Sequence, residues 1–260
     1  MNAIFALARI VVKELYRRKD FYVLFIMTVL ITLLMASANL FNDDKIVGYL
    51  KEICLLLIWI SALVMAVGTA ARQIPAEREN RTIFPLLAKP VTRWQVIVGK
   101  FLGTWLACGI SLIVFYLFLQ VVSASREHEW RVLAYFQAMW MQWMFLAIVI
   151  SMVLLGSIIF AAPSSNATIC IVVVLGIQYI GQYLAKIAIQ QAEPMRTILY
   201  FTYFVIPHLE WFYLHDSIVF PKNGLADWGA VAEASIYAMF YTGAFLVATW
   251  VCFRRKPLSQ

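Results

Sequence analysis

The sequence predicts an all-α polytopic membrane protein. Six transmembrane helices follow an N-terminal amphipathic interfacial helix, and a charged cytoplasmic helix lies between the second and third spans. Three observations predict this. Of 260 residues 63% are hydrophobic and 13% charged, with a mean hydropathy of +0.81, whereas soluble domains run at roughly 45–50% apolar and 25% charged. Six windows, 21–40, 53–71, 101–122, 138–162, 166–185 and 234–253, hold about half the chain and contain no Asp, Glu, Lys, Arg or His. Each matches the ~20 residues that cross a hydrocarbon core as a helix. Third, the charges fall between the windows and are sorted by side: the N-terminal segment, the segment between spans two and three, and the C-terminal tail carry 14 basic residues against four acids, and the remaining loops carry seven against ten. By the positive-inside rule the +10 side is cytoplasmic and holds both termini. The formal net charge of +7 is therefore a topology signal, and nucleic acid is not an expected partner.

Residues 1–19 form the first element. Ile4, Leu7, Val11 and Leu15 repeat at steps of three and four, and Arg9, Lys13 and Arg17 repeat at four. That is an amphipathic helix at headgroup depth with its basic stripe towards anionic lipid, so membrane lipid is an expected partner. Residues 20–260 then make up a single six-span domain. Ala36-Ser37-Ala38 resembles a signal-peptidase site, but the apolar run from 21 to 40 exceeds the ~7–15 residues of a cleavable segment, and the first span is expected to be retained.

The cytoplasmic segment 72–100 is the most informative. Pro75 suits the first turn of a helix, Glu77, Arg78, Glu79 and Arg81 alternate in sign, and Ile83, Phe84, Leu86 and Leu87 supply an apolar end. One charged and one apolar end suit docking to another protein. Pro85 and Pro90 break this helix, and Thr92 with Gln95 forms a capping box that starts the third span. Inside that span Gly99, Gly103, Ala107 and Ser111 recur every four residues and let a second helix approach closely, within one subunit or between two. Pro163-Ser164-Ser165-Asn166 is expected as a tight hairpin between spans four and five. In the outer segment 186–233 the uncharged run 197–209 is too short to span. It is expected as a re-entrant or interfacial helix ending near Pro207, with Tyr200, Tyr203, Phe204 and Trp211 as an outer gate.

Chemistry is sparse. No Gly-x-x-x-x-Gly-Lys-Ser/Thr phosphate loop is present, so energy would have to arrive from a partner. His208, Glu210, His215 and Asp216 have spacings that match no zinc signature, and no bound metal is expected. Met139, Met141 and Met144 interleave with Trp140 and Trp143 and are read as packing in an outer aromatic belt. Cys54, Cys108, Cys170 and Cys252 lie in separate spans and are expected as free thiols.

The pattern Glu77-x-Glu79-x-x-Thr82, then Leu86-Leu87-x-x-Pro90-Val91-x-Arg93, then Gly99-Lys100, resembles the type-2 ABC exporter permeases. It is most similar to the branch containing the permease of the nitrous-oxide-reductase maturation system. Where that family often has glycine before the threonine, this chain has Asn80-Arg81. The resemblance implies that segment 72–100 holds a coupling helix, with Glu77, Arg78, Glu79, Arg81, Thr82 and Arg93 contacting an ATPase. It implies a dimer of two permeases, identical or paralogous, with two ATP-binding subunits that carry ATP and Mg, in the cytoplasmic (inner) membrane. This chain itself would then be no enzyme and bind no cofactor. Two other readings compete: a membrane scaffold holding an extracytoplasmic partner through its aromatic outer segment, and a lipid-directed membrane enzyme using His208, Glu210, His215 and Asp216.

Overall fold

The computed structural model describes residues 2–17, 44–79, 92–127, 129–160, 162–190, 192–219 and 224–255, together with Tyr22, Ile26, Val29, Leu30 and Leu33. Most of the first expected span, 21–40, lies outside the described residues. Eight α-helices are described: α1 (Asn2–Arg17), α2 (Asp44–Glu79), α3 (Arg93–Glu127), α4 (Val132–Ile159), α5 (Pro163–Gln190), α6 (Met195–Val205), α7 (Asp216–Val219) and α8 (Trp228–Arg255), with a 3-10 turn at Leu209–Phe212. Among the described residues there is no strand. Five of the helices, α2 to α5 and α8, are long and apolar enough to cross a membrane.

Helix α4 is uncharged from end to end, and a helix that is apolar all round belongs in the middle of a bundle. It packs against α2, α3, α5 and α8, and Leu146, Ile148, Ile150 and Leu154 on it are fully buried. Helices α5 and α8 are peripheral. Val172, Tyr179 and Tyr183 on α5, and Ile236, Phe240 and Val247 on α8, face outwards, as apolar side chains do where the surrounding solvent is lipid. Helix α1 lies along α3, and α6, the 3-10 turn and α7 sit as a cap on α5, α4 and α2.

Two local expectations are corrected. Pro75 does not start a new helix, because the second-span helix runs through it to Glu79. Neighbouring side chains fasten the helix two residues before the proline: Lys100 Nζ donates to Gln73 O at 2.9 Å, and the Gln73 amide donates to Thr104 Oγ1. Pro163 to Asn166 are not a loop but the first turn of α5, where a missing proline N–H costs nothing. Asn166 turns inwards and donates from Nδ2 to Val153 O at 3.1 Å, stitching the hairpin closed against Gly156. Trp143, eleven residues into α4 and ~17 Å along its axis, clasps Trp105 of α3.

Candidate functional site

The end of the bundle that carries the charged segment is held by three ties. The first is the capping box of α3: Thr92 N–H donates to Gln95 Oε1 at 2.9 Å and Gln95 N–H to Thr92 Oγ1 at 3.3 Å, satisfying two of the orphan donors of a helix start. The second is the Lys100 and Thr104 attachment to Gln73 that binds α3 to α2; Lys100 is buried, so its ammonium depends on such acceptors. The third is Arg93. Its guanidinium donates to Phe253 O at 2.7 Å and Arg254 O at 3.1 Å, and sits 5.4 Å from the centre of the Phe253 ring. A cation on the last carbonyls of a helix satisfies orphan acceptors and opposes the negative end of the helix dipole.

Of the six residues expected at the ATPase contact, Arg93 is thus the start of α3 and the cap of α8 at once. Glu77, Arg78 and Glu79 are in the last turn of α2, with side chains outside the described residues, and Arg81 and Thr82 lie wholly outside them. We expect Arg93→Met to lower stability by about 2 kcal/mol, the scale of charge-assisted hydrogen bonds partly screened by solvent. Arg93→Lys should recover only part, lacking the planar fork. Thermal unfolding of the purified protein in detergent checks both.

The small residues of α3 meet a helix of the same chain. A Cβ on Gly99 would stand 2.8 Å from Leu7 Cβ and 3.3 Å from Ile4 O, and one on Gly103 2.7 Å from Val11 Cβ and 2.9 Å from Ala8 O. Helix α1 therefore lies in the groove that these glycines open, with Ala8 and Val11 buried and Phe5, Arg9, Ile10 and Lys13 exposed. Further along, Ala107 and Ser111 are buried, and Ser111 Oγ donates to Ala107 O at 2.9 Å. Gly103→Val should displace α1, because the obstacles are Val11 Cβ and the backbone of Ala8 rather than the far end of a mobile side chain. A cysteine at Ala8 should then pass from protected to thiol-reactive, a change that the wild-type Gly103 background should not show.

At the opposite end the expected gate residues fall into two groups. Tyr203 and Trp211 pack around His208, with ring centres 4.2 and 5.1 Å away. Tyr237 of α8 completes the cluster: its hydroxyl accepts from His208 N–H at 2.9 Å, and its ring lies 5.1 Å from Trp211. Tyr241, one turn on, donates to Val205 O at 3.4 Å. Tyr200 stands apart with Arg196 5.8 Å from its ring centre, and the Phe204 side chain lies outside the described residues. His208, expected only as a member of the acid–base quartet, is the hub of the cluster, and its α8 partners Tyr237 and Tyr241 were not expected. The only signal for them is the i, i+4 spacing of two tyrosines on one face of an otherwise apolar helix.

The acid–base quartet does not act as a unit. His208 Nδ1 is engaged with Ile206 O at 2.9 Å. His215 is buried beside Tyr213, and burial pushes its imidazole down to about 4, so it is uncharged at neutral pH. Among the described residues no three His, Cys, Asp or Glu side chains come together as metal ligands. The four cysteines are free.

The geometry therefore gives a bundle whose helix α8 is tied to α3 at its C-terminal end and to an aromatic cap midway along its length. A family model described as ABC-2 family transporter protein matches residues 10–257, from within α1 to just beyond the end of α8. No curated protein matches the chain.

Proposed function

The chain belongs to the ABC-2 family of transporter proteins and is the multi-pass membrane permease subunit of an ABC transporter; from that premise we propose that it is an exporter subunit driven by a separate ATP-binding protein. The observation that carries the reading is the convergence at the charged end. The C-terminal stretch of α2 at Gln73, the first turns of α3 and the last carbonyls of α8 are joined there through Gln73, Lys100, Thr104 and Arg93. A partner pressing on segment 72–100 would move all three helices together, and α8 meets the aromatic cap partway along its length, through Tyr237 and Tyr241. Movement of one end is thereby delivered to the other, provided that the partner contacts differ between its two states.

In this reading Glu77, Arg78, Glu79, Arg81 and Thr82 form the contact with the ATPase, and Arg93 passes its motion to α8. Tyr203, Trp211 and the residues around His208 act as the outer gate, with Tyr200 and Phe204 on the same helix. Two ATP-binding subunits carry ATP and Mg, and a second permease, identical or paralogous, completes the membrane half. The charge sorting supports cytoplasmic termini in an inner membrane, and the segment-72–100 motif supports the branch of the nitrous-oxide-reductase maturation permease. The test is to tag the protein, extract it from its native membrane in mild detergent and identify what co-purifies. An ATP-binding subunit at about one per copy is the outcome expected of a permease pair. Recovery with extracytoplasmic partners alone would overturn the ATP-driven reading in favour of a scaffold.

A further inference from the structure

Where the cap meets the membrane helices, a cavity of about 10 Å³ lies between α4, α5 and the segment after the 3-10 turn, lined by Gln142, Gln178, Phe145, Phe212, Tyr213 and His215. Two of its side chains are amides more than nine-tenths buried: Gln142 is 3% and Gln178 9% exposed. Gln142 Oε1 accepts from Tyr116 OH at 2.7 Å, while Gln142 Nε2 and Gln178 Oε1 have no hydrogen-bond partner in the protein. A buried amide atom left unpaired costs ~1–3 kcal/mol, and two of them on residues that line the same void are a pattern that a ligand relieves.

The chemistry of the lining selects the ligand. One orphan is a donor and the other an acceptor, so an ion of either sign would be repelled by one of them, and His215 presents no charge. The volume is near the ~10–15 Å³ that admits a single water. We propose that this cavity is a binding site for one water molecule, which accepts from Gln142 Nε2 and donates to Gln178 Oε1, with the His215 imidazole as a third partner. The water closes the polar seam between α4, α5 and the cap without a direct side-chain bond. This inference does not depend on the transport reading.

Hydroxyl-radical footprinting by brief X-ray irradiation of the purified protein in lipid nanodiscs tests it, because radicals form from bound water and label what touches it. Phe145 and Phe212, 2% and 4% exposed, are nearly as buried as Phe115 at 1%, which lies outside the cavity. The site requires that Phe145 and Phe212 be labelled several-fold more than Phe115, and that Gln178→Met and Gln142→Met each bring them back to the Phe115 level. Equal labelling of the three phenylalanines in the wild-type protein would overturn the proposal, as would labelling that survives both substitutions. The wild-type comparison stands alone should a variant fail to fold.

Discussion

Replacing Glu77 and Glu79 together by lysine should detach the ATP-binding partner or leave it bound but unstimulated. Both acids belong to the last turn of α2, directly beyond the point where Lys100 and Thr104 fasten Gln73 to α3. A contact made here is rigidly connected to two membrane helices. Breaking one hydrogen-bonded charge pair at an interface costs ~2–5 kcal/mol, much of it from leaving the other charge unpaired. Reversal adds repulsion to that loss. Even at the low end, about 2 kcal/mol, the partner's affinity falls roughly 30-fold. The measurement is the ratio of ATP-binding subunit to permease after extraction, with the ATPase rate of whatever complex remains. An unchanged unfolding temperature separates lost coupling from lost folding. ATPase stimulation equal to wild type in the double variant would remove these residues from the contact.

Much of the architecture was legible because a bilayer imposes a length on every apolar run. Five of the six uncharged windows fall within helices α2, α3, α4, α5 and α8, apart from residues 160–162 at the end of the fourth. Helix ends were not legible in the same way. Hydropathy reports the thickness of lipid, whereas α2 continues for 36 residues, ~54 Å, well beyond the window 53–71. Pro75 and Pro163 show the same limit from the side of turn chemistry. A proline reads as a helix start or break, and which one applies depends on neighbours far away in sequence: Lys100 beside the first, Val153 receiving Asn166 beside the second. The capping box at Thr92 and Gln95 was legible because its two partners are three residues apart.

The site was legible only where its partners are local. Arg93 was singled out as a residue of the charged segment, but its acceptors are 160 and 161 residues away on α8, and no spacing rule reaches that far. Lys51 and Lys100 fell between the windows and read as loop charges. Both are buried, with their ammonium groups turned to the carbonyls of Ile218 and Gln73. The aliphatic stem of lysine allows this wherever a carbonyl waits at the edge of the bundle. The cap was recognised by its aromatic content but not by its organisation, since His208 binds α6, the 3-10 turn and α8 through ring contacts that leave no periodic trace.

The clasp between α3 and α4 should be the most costly packing feature to remove. Trp105 and Trp143 stack with ring centres 4.4 Å apart at 16°. Each donates its indole N–H to the other's main-chain carbonyl, Trp105 to Trp143 O at 3.0 Å and Trp143 to Trp105 O at 2.9 Å. Gly109 opens the slot for this ring: a Cβ there would stand 2.6 Å from Trp143 Nε1 and 2.7 Å from Cε2. Trp143→Ala should therefore cost ~3–5 kcal/mol, as large-to-small changes in packed cores do. Trp143→Phe, which keeps an aromatic face but loses one interhelical hydrogen bond, should cost about 1 kcal/mol. Gly109→Ala in the wild-type background overfills the slot and should cost ~1–3 kcal/mol. With the indole gone, that methyl group enters the space that the ring vacated, so Gly109→Ala should cost little or stabilise the Trp143→Ala variant. The two substitutions are predicted to be strongly non-additive, with a coupling of at least ~1 kcal/mol in the favourable direction. Equilibrium unfolding of the four proteins in the same detergent measures it. Additive losses would mean that Gly109 is needed for something other than the passage of Trp143, and that the two helices are held together elsewhere.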